Sequence, residues 1–171
     1  QAILKLDSTD PPGKEDHVVA YLKQVLEADG IAVQTFAMEP HRPNLVVRLK
    51  GSGKQRPLLL MAHSDTVNVD PKKWTHPPFG AVRDGGYVYG RGTVDDKDNV
   101  AANLMTMLLL KRLNVKLDRD VILLIEAGEE GSSRLGIQFM ANEHWPEIAA
   151  EFCYAEGGSL TRTGGVVKYA R

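Results

Sequence analysis

One histidine and a set of acids, each at the end of an apolar run or in a glycine-rich turn, carry the chemistry of this 171-residue chain. Residues 57–67 read Pro-Leu-Leu-Leu-Met-Ala-His-Ser-Asp-Thr-Val, an apolar run that switches abruptly at His63, Ser64 and Asp65. Such a run marks a strand buried on both faces of a sheet. In open α/β sheets, ligands bind beyond the carboxyl ends of the strands. His63 and Asp65 stand two residues apart, so on extended chain they point to one side. Asp65 can then accept a hydrogen bond from one imidazole nitrogen while the other meets a metal. A second apolar run, Val121-Ile-Leu-Leu-Ile, ends in Glu126-Ala-Gly-Glu129-Glu130-Gly-Ser-Ser, and a third, 152–155, ends in Glu156. A glycine-rich turn, Gly90-Arg-Gly-Thr-Val, delivers Asp95 and Asp96.

Each acid alone reads as a solvated loop residue. Together, His63, Asp65, Asp95, Glu129, Glu130 and Glu156 bring one imidazole and several carboxylates to one sheet edge. Crowded carboxylates repel and desolvate one another unless cations neutralise them. Mixed imidazole and carboxylate ligands suit zinc, with cobalt or manganese as the lesser fits. More than three carboxylates suits two metals, and a carboxylate outside the ligand set is free to act as general base.

The elements that must position these residues follow from periodicity and punctuation. Residues 1–6 read as the end of a helix, and Asp7-Ser-Thr-Asp-Pro-Pro-Gly as a turn. Val18, Tyr21, Leu22, Val25 and Leu26 recur at helical spacing up to Gly30, a helix expected to serve as crossover into the sheet. Strands are expected over 31–38, 44–49, 58–62, 121–125, 152–155 and 164–170. A hairpin is expected around Asp84-Gly85-Gly86. Residues 100–113, apolar on nearly every face, predict a buried helix, and 135–144 a shorter one in which His144 meets the helix dipole. His76 reads as a solvated loop histidine. Cys153 reads as a small core residue. The fold class is α/β, with a mostly parallel sheet sandwiched by helices.

Composition narrows the function classes. Hydrophobic residues make up 43% and charged residues 25%, the profile of a globular domain. Lys plus Arg (21) balances Asp plus Glu (22), which leaves no general field to attract nucleic acid or an anionic membrane. No apolar run reaches the roughly 20 residues needed to cross a bilayer. One cysteine excludes an internal disulfide. The chain starts at Gln1, with no Met and no signal peptide, and the start reads as processed or truncated.

The ordered motifs Leu-Met-Ala-His63-Ser-Asp65-Thr-Val, Tyr-Gly-Arg-Gly-Thr-Val-Asp95-Asp96-Lys97, Gly-Glu129-Glu130-Gly-Ser and Ala-Glu156-Gly-Gly158 resemble the dinuclear zinc peptidase family. That family includes glutamate carboxypeptidase, aminoacylase, carnosinase and succinyl-diaminopimelate desuccinylase. The resemblance extends through the segment holding Trp74, Pro78-Phe79 and Asp84-Gly85. It implies that His63 binds one zinc with Asp65 orienting its ring, and that Asp95 bridges two zincs. Glu130 would bind the second zinc, Glu156 would complete the first, and Glu129 would be the general base. It also implies a cis peptide at Asp95–Asp96 and hydrolysis of amide bonds in small peptides or N-acyl amino acids. The family's downstream histidine ligand and inserted dimerisation domain have no counterpart here. On this reading residues 1–171 are the N-terminal portion of the catalytic domain. The parent is then a homodimer through the missing domain, and the fragment itself is inactive.

Two rival readings fit the same residues less well. A non-catalytic metal-binding or peptide-binding descendant would have no need of Glu129. A related aminopeptidase type, with a similar sheet and metals, fits poorly with Gly-Arg-Gly-x-x-Asp-Asp-Lys.

Overall fold

The computed structural model describes residues 1–157 and 160–170. Its centre is a five-stranded sheet built on β6 (Val121–Glu126), every residue of which is buried. The spatial order is β1 (Val33–Ala37), β2 (Pro43–Leu49), β6, β3 (Leu58–His63), β7 (Phe152–Tyr154). Two short hairpins stand apart from it: β4 (Val82–Asp84) with β5 (Tyr87–Tyr89), and β8 (Leu160–Thr163) with β9 (Val166–Ala170).

Helices cover both faces. Alternation along β6 splits the core in two, as side chains on successive strand residues must. Val121, Leu123 and Ile125 join Val18, Leu22 and Leu26 of α1 (Glu15–Ala28) and Val100, Leu104 and Met107 of α2 (Lys97–Arg112). On the other face Ile122 and Leu124 meet Phe139 and Met140 of α3 (Ile137–Glu143) and Ile148 of α4 (Trp145–Ile148).

The sheet is mixed, which corrects the expectation of a mostly parallel one. β3 runs parallel to both β6 and β7, but β2 is antiparallel to β6 and β1 antiparallel to β2. The reason is connection length: the link 38–42 is too short for the crossover that parallel neighbours need, so β1 and β2 close as a hairpin. α1 therefore leads into an antiparallel edge. The parallel connections carry α2, between β3 and β6, and α3–α4, between β6 and β7.

Smaller corrections share one cause, position relative to the sheet. Residues 1–6 contain only a single 3-10 turn, Ile3–Lys5. α2 buries one side and exposes Met105 and Leu109, because a helix lying on a sheet has an outer face. Cys153 is exposed, since β7 is an edge strand whose Phe152 and Tyr154 are exposed with it. His144 stacks on Phe36 and Phe139, with ring centroids 4.3 and 4.8 Å away, and His76 packs 4.4 Å from Tyr89. Gly158 lies outside the described residues.

Candidate metal centre

Because β3, β6 and β7 are parallel, their carboxyl ends open on one edge. The register sets His63 beside Glu126 and Leu60 beside Tyr154. From β3 comes His63, which is buried. From the turn before α2 comes Asp95, more than half exposed, with Asp95–Asp96 in the cis form. Glu129 and Glu130 follow β6, and Glu156 follows β7.

His63 Nε2 lies 3.0 Å from Asp95 Oδ1 and 3.6 Å from Glu156 Oε1. One donor atom from each of these three residues lies within 4.8 Å of the other two, a cluster that one cation can gather. The donor set fits a borderline-soft divalent ion such as zinc. Glu129 Oε2 reaches to 3.9 Å from the same nitrogen but stands outside that cluster. A cleft of about 200 Å³ opens beside it, between Met61 and Ile137, lined also by His63, Glu126, Glu129 and Glu156. A larger hollow, about 400 Å³ around His17 and His41, holds none of the strand-end acids.

The other imidazole nitrogen faces Asp65. Nδ1 is 3.1 Å from the Asp65 carbonyl and 3.4 Å from its carboxylate, so this nitrogen carries a proton and donates. The fully buried Asp65 carboxylate does a second job: it accepts the backbone N–H of Glu129 at 3.1 Å and of Glu130 at 3.0 Å. Burial works against that charge, but the His63 hydrogen bond and charge, with the amide of Glu130, hold Asp65 below the usual carboxylate range. Burial would likewise lower His63. The hydrogen bond and charge of Asp65, the hydrogen bond to Asp95 and the charge of Asp96 overcome it and raise the imidazole to about 10. Burial and neighbouring negative charges push Glu130 and Glu156 up, Asp95 acting on both. Uncompensated negative charge at this edge is what a bound cation would relieve.

Several supporting roles are not legible in the sequence, although Asp96 and Lys97 stand in its motifs. Asp96, buried at the N-terminus of α2, accepts the His63 backbone N–H at 3.1 Å, capping a strand rather than its own helix. Buried Lys97 reaches back to donate to the Leu6 carbonyl at 2.7 Å, and burial lowers its pKa to about 8. Ser8 Oγ donates to the Ser64 carbonyl at 2.6 Å. Asn44 accepts the N–H of Ala127 at 3.1 Å and donates to the Leu135 carbonyl at 2.8 Å. Only Asn44 left a signal, a lone amide opening the apolar run of β2; the others depend on partners distant in sequence.

Residues 59–168 match Peptidase family M20/M25/M40. The chain belongs to this family. Over 134 residues it is 34% identical to N-formyl-4-amino-5-aminomethyl-2-methylpyrimidine deformylase of Halalkalibacterium halodurans, covering 76% of this chain and 31% of that protein. Over 158 residues it is 31% identical to a probable succinyl-diaminopimelate desuccinylase of Staphylococcus aureus, covering 91% of this chain and 37% of that one. The fold superposes on an M20 family metallo-carboxypeptidase of Sulfolobus solfataricus with a TM-score of 0.81 and 27% identity, over 93% of this chain and 36% of that chain. The chain thus spans about a third of the length of the relatives it matches. Members of the family named here are hydrolases acting on C–N bonds.

Proposed function

We propose that this chain carries the metal centre of a zinc-dependent hydrolase that cleaves amide bonds in small peptides or N-acyl amino acids. The observation that carries the reading is the position of Glu129: at the mouth of the cleft, beside the His63, Asp95 and Glu156 donors but outside their cluster. A carboxylate so placed is free to move protons.

His63, Asp95 and Glu156 would hold one zinc, and Asp95 with Glu130 would contribute to a second. Cobalt or manganese are the alternative ions. Bound there, the cations supply Lewis acidity at the scissile carbonyl and acidify water. Glu129 takes the proton of the attacking water as its oxygen adds to the carbonyl carbon. It then returns that proton to the leaving nitrogen as the C–N bond breaks. Asp65 orients His63 by way of Nδ1 and fixes the two glutamates by their amides. The chain spans about a third of its relatives' length, which supports reading it as one portion of a larger protein; on this reading dimerisation would fall to a different segment.

The test is metal analysis of the full-length parent protein, followed by assay on a panel of dipeptides and N-acyl amino acids before and after chelation. Hydrolysis that disappears with a chelator and returns with zinc is expected. A protein that binds zinc and hydrolyses no member of the panel would instead be the non-catalytic descendant.

A further inference from the structure

Four consecutive backbone amides at the end of β6 are held by side chains from other elements. Ala127 donates to Asn44, Gly128 to Glu15 at 3.1 Å, and Glu129 and Glu130 to Asp65. Asp65 belongs to the metal centre. Glu15 does not: it opens α1 and is completely buried. Its carboxylate lies 2.8 Å from Arg42 Nε, and Arg42 Nη2 donates to Asp10 Oδ2 at 2.8 Å. Arg42 is itself buried and Asp10 nearly so. Two acids thus share one guanidinium beneath the turn, a costly arrangement to keep out of water when an apolar cluster would fill the space.

The cluster presses on the turn at two glycines. Gly128 adopts φ +71°, and a side chain there would lie 3.1 Å from Arg42 Nη2. A Cβ on Gly131 would strike the Asp10 carboxylate. Glu129 and Glu130 lie between these two contacts.

We propose that Glu15, locked by Arg42 and Asp10, is a positioning residue that fixes the 127–130 turn so that Glu129 keeps its aim at the attacking water. This deepens the hydrolase reading and rests on the role given there to Glu129. Glu129 and Glu130 repel each other and lie beside further acids, so an untethered turn would swing them apart toward solvent. Asp65 holds the turn at Glu129 and Glu130, and Glu15 holds it at Gly128.

Two substitutions separate positioning from charge. Glu15→Gln and Glu15→Leu both remove the carboxylate charge, but only glutamine keeps an oxygen that can accept the Gly128 N–H. In the zinc-loaded full-length parent, Glu15→Leu is expected to lower kcat by about 10–100-fold, the usual cost of losing a supporting partner of a metal site, with KM and zinc content nearly unchanged. Glu15→Gln should restore most of the rate. Equal losses in the two variants, or a Glu15→Leu enzyme with wild-type kcat and a lowered melting temperature, would overturn the proposal. Amide hydrogen exchange of the wild-type protein supplies a readout independent of turnover and of any variant's folding. The N–H groups of Gly128, Glu129 and Glu130 should be protected to a degree comparable with the β6 ladder. Exchange at the rate of open loops would overturn the inference even if the enzyme is active, whereas protected amides in a protein without hydrolase activity would sink the functional reading alone.

Discussion

Glu129 and Glu130 are neighbours in sequence to which the proposed function gives opposite tasks, and substitution can tell them apart. In the full-length parent, Glu129→Gln should retain both metals and lower kcat by about 10²–10⁴-fold, because an amide cannot take up the proton of water. Glu130→Gln should instead weaken one metal, read as a fall in zinc per chain on dialysis. An exchange of these two phenotypes would exchange the roles. His63 and Asp65 were legible because their spacing is local and each stands where an apolar run stops. Neither Glu15 nor Arg42 stands out in the sequence, since what defines them is 27 residues of separation closed to 2.8 Å. Cys153 was misread because its apolar surroundings describe a strand equally well in the middle of a sheet and at its edge. Being exposed, it should react with a thiol reagent in the native protein; a thiol titratable only after denaturation would contradict its placement.

At the scale of elements, apolar runs and glycine punctuation predicted the strands of the central sheet and the two long helices closely, because burial on a sheet imposes those patterns; β8, outside that sheet, was not expected. Pairing direction was not legible: β2 alternates no differently for lying antiparallel to β6. One contact at this junction is open to a pH test. Asp120, just before β6, accepts from Arg48 at 3.2 Å, Lys50 at 3.0 Å and the Gly51 amide at 2.9 Å, tying the end of β2 to the start of β6. Burial opposes its charge, but the Gly51 amide and the Lys50 and Arg48 partners hold its pKa below the ordinary value of 3.8. A carboxylate depressed on folding adds stability that is complete above its unfolded pKa. That stability is lost as pH falls below about 4 and through the folded value. Asp120→Asn should therefore cost about 1 kcal/mol at neutral pH and flatten the acid limb of the stability curve, as read by urea melts between pH 2 and 7. A parallel offset at every pH would show that the charge of Asp120 is not what joins the strands.

For the molecule as a whole, the donors divide unequally between the two proposed metal positions. On the proposed reading His63, Asp95 and Glu156, which lie close together, would complete one, whereas among the described residues only Asp95 and Glu130 would serve the other. Zinc titration of the 171-residue chain should show one tight equivalent and a second that washes out on dialysis, with no peptide hydrolysis; two equally tight equivalents with turnover would refute this division. The family was legible because four motifs keep their order along the chain. The Asp10–Arg42–Glu15 clamp was not, because its three members lie on separate segments. The parallel pairing of β3 with both β6 and β7 also sets an order of events during synthesis. Once residues 1–100 have left the ribosome, His63, Asp65 and Asp95 exist, but the strand that must lie beside β3 has not been made. Glu156 arrives last, some ninety residues after His63, so the nascent chain cannot grip zinc tightly until both long-range pairings are formed. On the proposed reading, tight metal capture would thereby report that the sheet is finished, and would add to the native state the stabilisation that binding confers.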